Sequence, residues 1–167
     1  MRETVGGDVV RAFLGTIVAV LVYSVAGAGA PALLVVFNAF SVVVLYFSIR
    51  RGEIFGALLG TMCGLVQDAF SLGVFGVGGL TKTLLGFWTG YISRRIDVAP
   101  LARNALFMLV MSVVEMVLWV LITALVRLKP VNLQGGLVFI QPVVTAVVGS
   151  SLIALERWIQ ARSSRGA

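Results

Sequence analysis

Residues 56–80 decide how the chain is interpreted, and they read GALLGTMCGLVQDAFSLGVFGVGGL. Gly56, Gly60 and Gly64 are four residues apart, which places three glycines on one face of a helix. Such a face lets another backbone approach closely inside a membrane. Asp68 then interrupts the apolar run, and a glycine-rich segment follows it. Because lipid cannot hydrogen-bond loose backbone, we expect two helices joined by a short turn that protein encloses.

The composition indicates an integral membrane protein. The 167 residues are 59% hydrophobic and 12% charged, with a mean hydropathy of +1.05, whereas soluble domains are about a quarter charged. The net charge of +6 does not indicate a nucleic-acid interface, because the arginines lie in twos and threes beside apolar runs, as topology signals do. A single cysteine, Cys63, excludes an internal disulfide, and the absence of histidine excludes imidazole metal sites and His-based triads.

Six apolar segments predict an all-α protein with one polytopic membrane domain over residues 1–167. The predicted helices cover approximately residues 9–26, 31–49, 53–67, 76–93, 101–126 and 136–159. The first resembles a signal peptide, with Arg2 and Arg11 before it and AGAGA at its end, but five further segments favour a retained helix. The third and fourth are short for a core of about 30 Å, so one span plus a re-entrant piece is the alternative.

The distribution of positive charge favours six crossings with both termini in the cytoplasm. With every segment crossing, ten of the thirteen cations face inwards. These are Arg2, Arg11, Arg50, Arg51, Arg94, Arg95, Arg103, Arg157, Arg162 and Arg165, against Lys82, Arg127 and Lys129 elsewhere. A single crossing for the third and fourth segments destroys this bias. Aromatic residues near the inner ends are typical interface anchors, namely Tyr46, Phe47, Trp88, Tyr91 and Trp158.

Two opposite charges lie at matched depth in the predicted membrane. Glu115 is twelve residues from both Arg103 and Arg127, and Lys82 is twelve from Arg94, so each lies about 18 Å from its helix end. Since a lone charge there costs about 2.5–3.5 kcal/mol, we expect Lys82 and Glu115 to form a hydrogen-bonded pair that sets helix register. The alternatives are Asp68 as the partner of Lys82, a carboxyl kept neutral by burial, and a proton or ion pathway.

Asp68 has two interpretations. Asp in a turn accepts backbone N–H bonds, so capping of the glycine-rich turn is favoured over ligand binding. Asn38 and Gln141 are expected to form interhelical hydrogen bonds. The turn lacks the Lys-Ser/Thr ending of a phosphate loop, and no nucleophile–base pair or ligand cluster is evident. We therefore expect no catalytic residue, cofactor or metal, and a protein that is not an enzyme.

The central stretch resembles the signature of the rod shape-determining protein MreD family. The residues that carry the resemblance are Gly60, Gly64, Leu65, Asp68, Ser71, Gly76 and Leu80. Length, six segments and cytoplasmic termini also fit that family. The motif covers about 21 residues, and outside it the likeness is limited to hydropathy and topology.

The resemblance implies a non-enzymatic scaffold of the bacterial cell-elongation machinery in the cytoplasmic membrane. Its fold would be a bundle similar to the S-components of energy-coupling-factor transporters. Its membrane partner would be MreC, with RodA, a class B penicillin-binding transpeptidase and MreB in the larger complex. The interaction candidates are Gly56, Gly60, Gly64, Asp68, Ser71, Gly76, Lys82 and Glu115. A small-molecule-binding subunit like an S-component is the alternative, and it requires an outward polar pocket bounded by Asp68, Lys82 and Glu115.

Overall fold

All regular elements in the described part of the chain are helices, as the sequence predicts. The computed structural model describes residues 5–29, 32–71, 74–96, 98, 100–127, 136 and 139–163. The helices are α1 (Val5–Gly29), α2 (Ala32–Val36), α3 (Ala39–Arg51), α4 (Glu53–Phe70), α5 (Val77–Ser93), α6 (Leu101–Arg127) and α7 (Gln141–Ser163). The predictions for Arg2, Lys129 and Arg165, and the predicted start of the second helix at residue 31, lie outside the described residues.

The second predicted helix is interrupted, which corrects the expectation of one helix over residues 31–49. The chain leaves α2 at Phe37, and Asn38 has extended backbone angles (φ −114°, ψ 95°). The Asn38 side chain accepts a hydrogen bond from the Ser41 N–H at 3.3 Å. A short side-chain acceptor before a helix replaces the bond that the first turn lacks, so α3 begins anew at Ala39.

The remaining helix ends differ from the predictions by a few residues. α1 and α4 are longer than expected, and α4 continues to Phe70 because the Ser71 N–H still bonds the Gln67 and Asp68 carbonyls. α7 begins at Gln141 rather than at residue 136. Pro142 occupies its first turn, where the missing N–H of proline costs nothing.

Four helical stretches are long and apolar enough to cross a membrane. They are Gly6–Gly29, Leu33–Arg51, Leu101–Arg127 and Gln141–Ile159. α5 has only 17 residues, and α4 carries Glu53, Gln67 and Asp68 within its 18. The structure therefore supports a membrane protein with several spans. Crossing by α4 and α5 as well, which six crossings require, stays a prediction.

α3 lies at the centre of the bundle. It packs against α1, α4, α5, α6 and α7, and its residues Phe40, Val44 and Leu45 are fully buried. The turn into α4 is made by one residue, Gly52, whose positive φ of 90° suits glycine. α4 and α5 then pack closely against one another and together against α3.

Charged residues join five helix ends at one end of the bundle, which we call the basic end. Arg51 at the end of α3 pairs with Asp8 near the start of α1. Arg50 beside it pairs with Glu156 near the end of α7. At the junction with α5, Arg94 contacts Glu53 at 3.3 Å and donates to the Arg51 carbonyl at 3.1 Å. The start of α1 and α4 and the end of α3, α5 and α7 therefore lie together.

Candidate functional site

The glycines of α4 lie directly against the backbone of α5. Gly56, Gly60 and Gly64 are all buried. A Cβ atom at each of them would meet a carbonyl of α5 well inside van der Waals distance, at Gly86, Lys82 and Gly78 in that order. The contacts move four residues up α4 as they move four residues down α5, so the helices are antiparallel and in fixed register. The backbone predicted to approach the glycine face is therefore that of α5.

A pair of hydroxyls adds a polar contact to this hairpin. Thr61 Oγ1 of α4 and Thr83 Oγ1 of α5 lie 2.7 Å apart. Each hydroxyl also lies within hydrogen-bond distance of a carbonyl in its own helix, at 2.9 Å from Ala57 and 2.7 Å from Gly79. Because a hydroxyl has one proton, one threonine donates across the hairpin and the other donates to its own helix. Small residues with hydroxyls between them are the usual material of close helix contacts in membranes.

Asp68 closes the turn of the hairpin by capping α5. One oxygen, Oδ2, accepts the N–H groups of Gly76 and Gly79 at 2.8 Å and 3.1 Å. The other, Oδ1, accepts the N–H of Gly78 at 3.1 Å. A carboxylate at this position also complements the positive end of the helix dipole. The predicted capping role is confirmed, and both oxygens are engaged.

Two signature residues beside Asp68 have structural roles in the same turn. Ser71 ends α4, and its hydroxyl donates to the Asp68 carbonyl at 3.2 Å. Gly76 precedes α5 with a φ of 95°, a left-handed conformation that glycine adopts without strain. The described part of the turn thus brings Asp68, Ser71 and Gly76 together, but Phe70 and Phe75 in it are more than half exposed, so the protein does not enclose the turn as expected.

Lys82 and Glu115 form the predicted ion pair, and Ser41 completes it. Lys82 Nζ lies 2.6 Å from Glu115 Oε1 and 3.1 Å from Ser41 Oγ. The Ser41 hydroxyl donates to the same carboxylate oxygen at 2.6 Å. The Lys82 and Glu115 side chains are only 3% and 7% exposed, and Ser41 is fully buried. This cluster, the Ser41–Lys82–Glu115 cluster, joins α3, α5 and α6 at the middle of the bundle.

Asp68 takes no part in that cluster. Its carboxylate bonds the turn, while Lys82 lies fourteen residues further along and bonds Glu115. The alternative pairing of Lys82 with Asp68 is therefore wrong. In this cluster the Glu115 carboxylate neutralises the Lys82 ammonium, and the Ser41 hydroxyl forms a hydrogen bond with each of them. Because Ser41 is enclosed on all sides, its proximity to a lysine offers no surface to a substrate.

Asn38 makes one of the two expected interhelical hydrogen bonds. Its Nδ2 donates to Gln67 Oε1 at 3.2 Å, which connects the start of α3 with the end of α4. Gln141 is half-buried at the start of α7, and its side chain makes no hydrogen bond with another described residue. Asn38 therefore both caps a helix and links two helices.

Sequence reasoning missed several residues of these contacts. Ser41 is a single hydroxyl in an apolar segment. It lies ten residues before Arg51, which predicts a depth in the membrane close to that of Lys82, and this depth is its only signal in the sequence. Spacing along the chain assigns no partner to Asp8, Glu53 or Glu156, although each lies within a few residues of a predicted helix end. Their ion pairs show that the arginines at the basic end hold helices together besides marking orientation.

An open groove lies away from the cluster. It is lined entirely by aliphatic and small residues of α1 and the start of α2, and its volume is about 520 Å³. The lining is Leu21, Val22, Val25, Ala26, Gly29 and Leu33. Among the described residues, no three His, Cys, Asp or Glu side chains come together as metal ligands would.

Comparisons with family models, with curated proteins and with solved structures each returned no match to this chain.

Proposed function

We propose that this chain is a non-enzymatic scaffold of the MreD type in a bacterial cytoplasmic membrane. In this role it binds MreC and takes part, with RodA, a class B penicillin-binding transpeptidase and MreB, in the control of peptidoglycan synthesis and cell shape. One observation carries the proposal. The residues that resemble the MreD signature all contribute to one substructure, the hairpin of α4 and α5.

The contacts of the signature residues support this proposal because they explain why those residue types stand at that spacing. Gly60 and Gly64 permit the backbone contact with α5. Asp68 requires backbone N–H groups within reach, and Gly76 supplies one of them at 2.8 Å. A sequence that only happened to contain small residues and one acid would not need them to meet in one bend.

The proposed topology has six crossings with both termini in the cytoplasm. The antiparallel course of α4 and α5 supports it, as does the joining of five helix ends at the basic end. Helices of 18 and 17 residues reach about 27 Å and 26 Å, close to the thickness of a bilayer core.

Labelling tests this topology. In a Cys63→Ser background, Ile96→Cys is expected to react with an impermeant thiol reagent only from the cytoplasmic side. Phe75→Cys, at the opposite end of the hairpin, is expected to react only from outside. Reaction of both positions from one side contradicts a crossing by α5.

The contacts do not favour the alternative of a small-molecule-binding subunit. A pocket bounded by Asp68, Lys82 and Glu115 needs free polar groups, but the Asp68 carboxylate binds three backbone N–H groups and the other two bind one another. The open groove on α1 has no polar lining to orient a vitamin-like ligand. A ligand that co-purifies in stoichiometric amount would favour this alternative over the scaffold.

Co-expression with MreC from the same genome tests the scaffold. We expect the two proteins to remain together through detergent purification by a tag on MreC. Asp68→Ala is expected to weaken this association because it loosens the turn, whereas Phe13→Ala, on the exposed face of α1, is the matched control. A monodisperse chain that never co-purifies with MreC contradicts the proposal.

A further inference from the structure

Three helices carry the same short motif where they end at the basic end of the bundle. An aromatic residue is followed four positions later by an arginine whose guanidinium lies over the ring. The distances from the guanidinium carbon to the ring centroid are 5.5 Å for Arg50 over Tyr46 in α3, 4.3 Å for Arg95 over Tyr91 just after α5, and 4.2 Å for Arg162 over Trp158 in α7. Stacking of this kind holds an otherwise flexible side chain in one place.

The three arginines differ in their anionic partners. Arg50 pairs with the Glu156 carboxylate and donates to the Tyr46 hydroxyl at 2.7 Å. Arg95 and Arg162 lie over their rings, and neither has a carboxylate partner among the described residues. Two of the three stacked guanidinium groups therefore retain N–H donors that the rest of the described chain does not use.

Among the described residues, every carboxylate at the basic end is engaged by an arginine other than Arg95 and Arg162. Asp8 pairs with Arg51, Glu53 contacts Arg94, and Glu156 pairs with Arg50. In the described part of the chain, these three carboxylates stand against eight arginines at this end. The arginines are Arg11, Arg50, Arg51, Arg94, Arg95, Arg103, Arg157 and Arg162. This surplus of positive charge faces the outside of the protein.

We propose that Arg95 with Tyr91 and Arg162 with Trp158 are two headgroup sites for anionic phospholipid. Each ring is about half exposed, at 40% for Tyr91 and 53% for Trp158. Aromatic residues at a helix end lie at the level of the lipid headgroups, where the ring meets acyl chains and the guanidinium meets phosphate. Arginine in a fixed position offers a phosphate two parallel N–H bonds.

An anionic lipid fits these sites better than a soluble anion. A soluble phosphate would leave the exposed parts of Trp158 and of the stacked pair Phe87 and Tyr91 uncovered, whereas a lipid covers them with its glycerol and acyl portion. The proposal rests on the membrane placement proposed above, since the basic end must lie at a bilayer surface. It does not depend on MreC, so the following experiment omits partner proteins.

The test measures lipid selectivity of the purified full chain in nanodiscs, by electron spin resonance with spin-labelled phosphatidylglycerol and phosphatidylcholine. We expect the unaltered chain to favour phosphatidylglycerol. Because a basic residue near a membrane surface contributes about a five-fold preference for anionic lipid, Arg95→Gln with Arg162→Gln should remove most of that selectivity. Arg127→Gln is the control for each single variant, Arg95→Gln or Arg162→Gln, since it also loses one positive charge, at the far end of α6, and has Thr123, not a ring, four residues before it.

A second double variant distinguishes binding at the two stacked sites from a general electrostatic attraction of anionic lipid to the basic end. Tyr91→Leu with Trp158→Leu keeps every charge, and we expect it to lower the phosphatidylglycerol preference at least two-fold. Unchanged selectivity in the arginine variant, or an equal loss in Arg127→Gln, overturns the proposal. Unchanged selectivity in the leucine variant overturns the role of the rings. A chain without selectivity that still co-purifies with MreC would show that the lipid sites fail while the scaffold stands.

Discussion

α1 is 25 residues long and mostly exposed along its length, whereas the shorter α4 and α5 lie backbone against backbone. Only 11% of the apolar window of α1 is buried inside the protein, and Phe13, Leu14 and Val25 are more than half exposed. α1 is held at one end by the Asp8–Arg51 pair and further along by a contact of Thr16 with Cys63 at 3.5 Å. A long and strongly apolar helix therefore packs against little of the protein.

This difference follows from the solvent. In water, apolar surface drives burial, so α1 would be expected at the core. In a bilayer the lipid tails are as apolar as the side chains, and helices associate through close packing and hydrogen bonds instead. Glycines and polar groups bring α4 and α5 together. Transfer of the apolar side chains of α1 from lipid into the protein would contribute little free energy. Four substitutions test this account, and they follow in order of decreasing predicted loss of stability.

Glu115→Gln should have the largest effect because it leaves the buried Lys82 ammonium without a counter-charge. Removal of one partner of a buried ion pair costs about 3–5 kcal/mol. The free energy of unfolding in mixed detergent and SDS micelles measures this loss. Adding Lys82→Met to Glu115→Gln removes the unpaired charge, so the double variant should recover most of the stability. A double variant no more stable than Glu115→Gln would contradict the pairing.

Gly60→Ala should destabilise the hairpin, although alanine is the better helix former. The new Cβ atom meets the Lys82 carbonyl of α5, and such overpacking costs about 1–3 kcal/mol. Gly6→Ala in α1 is the matched control, since nothing lies within 4 Å of a Cβ atom there. Gly6→Ala should therefore raise the free energy of unfolding by up to about 0.5–1 kcal/mol, because alanine has the higher helix propensity. Equal changes in stability for Gly60→Ala and Gly6→Ala would contradict the close packing of α4 against α5.

Asp68→Ala should loosen the turn of the hairpin without separating its helices. It removes the acceptor of three backbone N–H bonds at the start of α5, and loss of a helix cap costs about 1–2 kcal/mol. Hydrogen exchange of the Gly76, Gly78 and Gly79 amides should accelerate more than exchange at Leu85. Asp68→Asn keeps one acceptor oxygen, so its amide exchange rates should lie between those of the unaltered chain and those of Asp68→Ala. Unaltered amide exchange in Asp68→Ala would disprove the capping role.

Asp8→Asn should have the smallest effect on global stability, about 1 kcal/mol or less, because Arg51 is partly exposed to solvent. Its consequence should be local. A spin label at Leu14→Cys, in a Cys63→Ser background, is expected to gain mobility as the start of α1 moves away from α3. The same label should not respond to Asp68→Ala. A global loss as large as that of Glu115→Gln would show that α1 is not the weakly held element.

The parts of the site that could be predicted are those set by spacing along one helix. The interval of four residues predicted the close approach at Gly56, Gly60 and Gly64, although not which backbone would fill it. Equal distances from helix ends predicted the partner of Lys82, because opposite charges in lipid cannot remain apart cheaply. A carboxylate before a glycine-rich bend predicted the cap by Asp68.

Other features depend on which helices become neighbours. Ser41 joins the Lys82–Glu115 pair only because α3 packs beside both α5 and α6. The break before α3 arises because the Asn38 side chain caps the new helix and also reaches Gln67 in α4. The pairs of Asp8, Glu53 and Glu156 likewise join residues far apart in the chain, and spacing carries no information about them.

Composition and local periodicity are properties of the chain alone, so they predict a helical membrane protein and the helix faces that can approach closely. The central position of α3, the marginal position of α1 and the acid that each arginine meets depend on how the helices pack. Lipid solvates every apolar helix equally well, so hydrophobicity does not select which helices become neighbours. The arrangement depends instead on a few small and polar contacts between segments distant in sequence.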